Sequence, residues 1–132
     1  MKTKLVLVEG IPGSGKSTIA KKIHAHFREN GFNSRVYNEG DLNPADLSWH
    51  ACLPVAEFNN LLNEYPLEKD AILTQTVFED DYAIVAYTKI QTENKDLYPL
   101  FERYEVFDNR VPFELYRDLH FRRWSDFGKK AM

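Results

Sequence analysis

The chain has 132 residues, a formal net charge of −3, and a composition that is 43% hydrophobic and 14% aromatic. That length holds one domain with enough apolar surface for a core, and the mildly acidic balance excludes a general pull toward nucleic acid or an anionic membrane. No apolar run approaches the roughly 20 residues that span a bilayer, and the single Cys52 excludes an internal disulfide and suits a reducing compartment, so the expected location is the cytoplasm.

Thr3 to Val8 is short, apolar and β-branched, and reads as a buried strand; it runs into Glu9, unlike a signal peptide. Ser17 to Asn30 reads as a helix whose Ile19, Ile23 and Phe27 form one stripe facing a sheet, with Gly31 as its stop. Ser34 to Tyr37 is a second strand, completing a right-handed β-α-β unit. Asn43-Pro44 caps and opens a short helix that extends to about Cys52. Pro54 opens another, with Val55, Phe58, Leu61 and Leu62 on one face, and Tyr65-Pro66 ends it. Ala71 to Thr76 and Tyr82 to Ile90 are rich in β-branched and aromatic residues and read as a hairpin around Glu79-Asp80-Asp81. Helices follow from Asn94 to Tyr104 and from Pro112, the latter with Phe113, Tyr116, Leu119, Trp124 and Phe127 at helical spacing.

Between the first strand and the first helix lies Gly10-Ile11-Pro12-Gly13-Ser14-Gly15-Lys16-Ser17-Thr18, a full match to G-x-x-x-x-G-K-[ST]. Gly10, Gly13 and Gly15 lack Cβ, so the turn can take positive φ and its backbone can close around a phosphate. The amides then converge with a helix N-terminus, where unpaired donors and the positive dipole end favour an anion. In this pattern Lys16 reaches the β- and γ-phosphates and the Ser17 hydroxyl is the Mg²⁺ ligand. Glu39 and Asp41 follow the C-terminal end of the second strand, the edge where open α/β sheets bind ligands. A carboxylate there can take the proton of an acceptor hydroxyl, and the same acids equally read as caps of a turn or of the next helix.

The loop with its Pro12-Gly13 resembles that of phosphate-loop kinases acting on nucleosides, nucleotides and other small hydroxyl acceptors. More narrowly, the chain resembles a bacterial ATP-binding group related to thymidylate kinase, through Glu39-Gly40-Asp41, Pro44-Ala45-Asp46, Trp49 and Val85-Ala86-Tyr87-Thr88-Lys89. The resemblance implies transfer of a phosphoryl group from ATP, with Mg²⁺, to an unspecified acceptor. The expected fold is therefore α/β, a three-layer α/β/α phosphate-loop NTPase type with a parallel sheet, plus a β-hairpin and C-terminal helices.

The metal-organising acid of a second nucleotide motif has two weak candidates. Val77-Phe78-Glu79-Asp80-Asp81 lies in a turn, and Glu105-Val106-Phe107-Asp108 reads as a helix end. Without a strong one, residues 1–132 are expected to be a single kinase-like domain that forms the N-terminal part of a longer one. Arg117, Arg122 and Arg123 can bind phosphate, but read first as a solvated helix face. The expected partners are a nucleotide and a small hydroxyl- or phosphate-bearing acceptor, with no membrane and no specific nucleic-acid signal. Homo-oligomerisation is one way to cover an incomplete sheet. Two rivals to a kinase remain: an ATP-binding module that transfers nothing, and an ATPase stimulated by a partner. A GTPase is disfavoured, because Asn94-Lys95-Asp96 lacks the N-K-x-D spacing.

Overall fold

The computed structural model describes residues 5–41, 47–107 and 110–130. They fall into two compact units, one reaching to Asn38 and the other spanning Glu39–Lys130.

The first unit is built on helix α1, Lys16–Glu29. Ile23 and Phe27 are half-buried and Ile19 stays exposed, so the expected stripe is present but only partly covered. The helix ends as its sequence predicts. Asn30 is the C-cap, Gly31 follows at φ 81°, and the amide of Phe32 donates to the carbonyl of Phe27 at 2.9 Å. The Phe32 ring then meets Phe27 edge-on at 5.9 Å, and the Nδ1 atom of His24 hydrogen-bonds the hydroxyl of Ser34 at 2.9 Å.

Neither expected strand of the β-α-β unit forms among the described residues. Residues 5–8 and 34–37 carry no ladder, and Leu5, Val6 and Leu7 are more than half exposed. A strand is defined by the neighbour that takes up its amides and carbonyls, and an apolar sequence does not supply one.

The second unit contains the sheet, and it is antiparallel. Its strands are β1 (Ala51–Pro54), β2 (Thr76–Glu79) and β3 (Tyr82–Val85), in the order β1-β3-β2. Ala51 pairs with Val85 across β1 and β3, and Thr76 pairs with Val85 across β2 and β3. The corrected fold is thus mixed α/β around a three-stranded antiparallel sheet, with no parallel sheet among the described residues.

Both faces of this sheet are covered, by residues that alternate along each strand. Ala51, Leu53, Ala83 and Val85 join one cluster with Phe58, Leu61, Ile72, Leu97 and Phe101. These come from α2 (Val55–Glu64), α3 (Lys69–Thr74) and α4 (Leu97–Glu102). The intervening Cys52 and Ile84 join a second cluster with Leu47, Val106 and Leu119, the last on α5 (Phe113–Lys130). Being buried on both faces is why β3 reads as an unbroken apolar run.

Three local expectations need correction. Ala51-Cys52 is strand, so no helix reaches Cys52; its proposed start at Asn43-Pro44 lies outside the described residues. Ala71 to Thr74 is helical. A short apolar run looks the same as a buried helical turn or a strand, and here Ile72 faces the core while the Thr74 hydroxyl donates back to the carbonyl of Asp70 at 2.8 Å. Strand β3 stops at Val85, and a short 3₁₀ turn, Tyr87–Lys89, replaces its expected continuation to Ile90. The helix opened by Pro54, the hairpin and the long last helix all form near their expected places.

The hairpin turn is Asp80-Asp81, with Asp80 at φ 52°. Asp80 and Asp81 are exposed, as a solvated turn predicts, but Glu79 is half-buried, and two of the three arginines are engaged in ion pairs with this turn. Arg123 of α5, only 8% exposed, donates to Glu79 Oε2 at 2.7 Å, while Arg122 donates to Glu79 Oε1 at 2.8 Å and pairs with Asp80. Arg117 pairs only locally among the ion pairs seen, with Asp118 at 3.1 Å. The hairpin tip is therefore clamped to the last helix.

Breaking that clamp tests its weight. Arg123→Met is expected to cost about 2 kcal/mol, less than a fully buried pair because Glu79 retains some solvent. Arg122→Ala should cost less than about 1 kcal/mol, since its partners lie nearer water. Urea unfolding of Arg123→Met, Glu79→Gln and the double variant is expected to show a double loss smaller than the two single losses combined. Strict additivity would mean that the pair contributes no coupling.

Candidate functional site

The phosphate loop leads straight into α1. Lys16 is the first helical residue and Gly15 its N-cap, at φ 85° and ψ 14°. Gly13 lies at φ 81°, so the loop contains two left-handed positions that a side chain would strain. A turn closes from the amide of Ser14 to the carbonyl of Ile11 at 3.1 Å. At Gly10 a Cβ would come within 2.5 Å of the Ser14 hydroxyl oxygen, so the loop folds back over this position and a side chain there would make Ser14 move.

No side chain caps α1, and its first turn holds no acid. The helix therefore keeps its first amide donors clear of a capping side chain, and its dipole is not offset by a local carboxylate. Its last turn carries His26 and Arg28, the signs that suit the opposite end. The Lys16 ammonium lies across the loop and donates to the carbonyl of Gly10 at 3.2 Å. Ile11, Pro12, Ser14, Ser17 and Thr18 are exposed. These features fit a bound phosphate: a loop with two left-handed glycines, an uncapped helix N-terminus, and a cation at its mouth.

The two acids belong to the second unit. Glu39 is exposed and Asp41 half-buried, flanking a buried Gly40. Gly40 has φ 81°, and a Cβ there would lie 3.0 Å from the Thr88 hydroxyl oxygen and 3.5 Å from Cε of Lys89. Asp41 Oδ1 stands 4.0 Å from the Lys89 ammonium, and the Cβ of Trp49 is 3.7 Å from the same Gly40 position. The structure thus brings the Glu39-Gly40-Asp41 segment onto the 3₁₀ turn Tyr87–Lys89 and beside Trp49. Those are the segments that carry the narrower resemblance. Pro44-Ala45-Asp46 lies outside the described residues.

Behind that turn is a buried polar group that sequence reasoning missed. Tyr87, 4% exposed, hydrogen-bonds with the carboxylate of Glu105, itself 7% exposed, and with the hydroxyl of Tyr98. Burial, then the bond to Glu105, pushes the Tyr87 hydroxyl far above the ordinary phenol range, so it stays protonated and donates. Glu105 is not a helix end: it forms a bridge with Ala51 beside β1, flanked by bonds from Cys52 to Tyr104 at 2.9 Å and from Val106 to His50 at 3.0 Å. The available signal was an acid inside an aromatic and aliphatic stretch. Asp108, its companion candidate, is outside the described residues.

Thiol chemistry finds no support. Cys52 is 2% exposed, and burial pushes its thiol up to about 11, well short of ionising at neutral pH. No group of three or more His, Cys, Asp or Glu side chains suited to a metal occurs among the described residues. No helix among them is long and apolar enough to cross a membrane.

A family model described as chromatin associated protein KTI12 matches residues 3–52. That stretch contains the phosphate loop, α1, Glu39 and Asp41, and it is less than half of the chain. At this coarse level the match agrees with a phosphate-loop, nucleotide-binding relationship. No curated protein and no solved structure matches the chain.

The two positive-φ glycines with different surroundings make a paired test. Gly13→Ala meets open space and is expected to cost only backbone strain, about 1 kcal/mol. Gly40→Ala adds a close approach to Thr88 and should cost about 1 kcal/mol more. Urea melts of both variants give the comparison, and equal losses would show that Thr88 moves aside freely.

Proposed function

We propose that the chain binds Mg-ATP at the Gly10–Thr18 loop and transfers the γ-phosphoryl group to a small hydroxyl- or phosphate-bearing acceptor. The observation that carries this reading is the loop itself. A complete motif runs into an uncapped helix N-terminus, with left-handed glycines at Gly13 and Gly15 and Lys16 across its mouth. The family match over residues 3–52 supports it at the level of nucleotide binding.

In this reading the amides of Gly13 to Ser17 hold phosphate oxygens. Lys16 offsets the charge that develops on the transferred group. Ser17 would supply the protein's hydroxyl ligand to Mg²⁺, which would neutralise the phosphate charge. Asp41, or Glu39, orients the acceptor and takes its proton. The Lys89 ammonium stands 4.0 Å from Asp41 Oδ1 and is a positive charge beside the proposed acceptor position. Little covalent work falls to the protein, so positioning and electrostatics carry the rate. The resemblance of the sequence to thymidylate-kinase-like proteins favours an acceptor among nucleosides or nucleotides.

A second reading, an ATPase stimulated by a partner, is favoured by the matched family's description as chromatin associated. Stimulation of phosphate release by added DNA or histone, with no phosphorylated acceptor formed, would select it over the kinase.

The deciding measurement is calorimetric titration of Mg-ATP into the chain and into Lys16→Ala. Micromolar binding that weakens at least tenfold in the variant is expected, because a charge-assisted phosphate contact is worth on the order of 1.5–3 kcal/mol. Equal affinity in both proteins would sink the proposal.

A further inference from the structure

The second unit has a cavity of about 180 Å³ beside the Tyr87–Lys89 turn. It is lined by Tyr87, Thr88, Thr92, Asn94, Lys95 and Tyr98, with Ile90 and Leu97 as apolar wall. Two tyrosine rings form a fixed corner, edge to face at 5.2 Å. Tyr87 is held there by its bond to Glu105, so that wall is set before any ligand arrives.

The polar groups of the lining are not equivalent. Asn94 is partly used: its amide donates to Glu68 Oε1 at 3.1 Å, and its Oδ1 accepts from the amide of Asp96 at 3.0 Å. Thr92 accepts from the amide of Asn94 at 3.0 Å, which leaves its O–H to donate. The Tyr87 hydroxyl donates its hydrogen bond to the Glu105 carboxylate. What the lining still offers is donors: the Thr88 and Thr92 hydroxyls and the Lys95 ammonium. The volume is close to the roughly 150 Å³ that takes one benzene ring.

We propose that this cavity binds a ligand of one planar ring carrying acceptor oxygens, seated against Tyr87 and Tyr98 and hydrogen-bonded by Thr88, Thr92 and Lys95. The acceptor oxygens can be ring carbonyls or a carboxylate, and both chemistries satisfy the same donors. Taking this ligand to be the phosphoryl acceptor rests on the kinase reading above; the binding itself does not.

The test is a titration of the isotope-labelled full chain followed by amide shifts, with uracil and benzoate as single-ring probes and adenosine as the double-ring control. Uracil or benzoate is expected to move the amides of Thr88, Thr92, Lys95 and Tyr98. Thr92→Val, at an exposed position, should weaken binding about threefold to tenfold by removing one donor. Loss of benzoate binding in Lys95→Met identifies a carboxylate ligand, while uracil binding that survives it identifies a neutral ring. The proposal is overturned if neither single-ring probe shifts these amides, if adenosine shifts them as strongly, or if Thr92→Phe, which fills the space, leaves the shifts unchanged. Lys16→Ala separates this result from the one above. ATP binding lost in that variant with no ring binding in the parent would leave the loop assignment standing and remove only the ring site.

Discussion

The burial of β3 on both faces is the constraint on which the second unit depends. Ala83 and Val85 face the cluster of α2, α3 and α4, while Ile84 faces the cluster that includes Leu119 of α5. A strand in that position must find backbone partners on both edges, and β1 and β2 supply them. The polar features hang from this arrangement. Glu79 ends β2 and meets Arg123; the 3₁₀ turn that carries Thr88 and Lys89 begins where β3 stops; and Glu105 is drawn in beside β1.

The legible parts of the sequence were those with a local physical cause. The turn into α1 could be read because Gly13 and Gly15 take the left-handed conformation that glycine alone adopts without strain. Helix α1 could be read from its Gly31 stop, and the helix after Pro54 from Phe58, Leu61 and Leu62 on one face. The hairpin showed as two β-branched runs around an acidic turn.

What misled was partnership between distant segments. Leu5 to Leu7 has the composition of a strand, yet composition cannot state whether a neighbour is present, and among the described residues these side chains are more than half exposed. Ala71 to Thr74 has the same ambiguity in reverse. Arg122 and Arg123 looked solvated because their partners stand more than forty positions away. The acids at Glu39 and Asp41 were found by their place in the sequence, while Lys89 beside Asp41 and Tyr87 against Glu105 needed the fold to bring them together.

Cys52 gives the second unit a built-in reporter. It is the chain's single thiol, and it lies on β1 with its side chain in the Ile84 cluster on one face of the sheet, 2% exposed. A reagent can reach it only when the packing of Leu119 and Val106 against that face opens, so the rate of its alkylation in the native protein measures the free energy of that opening. Ligands that hold only the first unit should leave this rate alone. Any ligand that tightens the second unit should slow it, and so a lone buried cysteine, chemically idle, can tell the two units' responses apart.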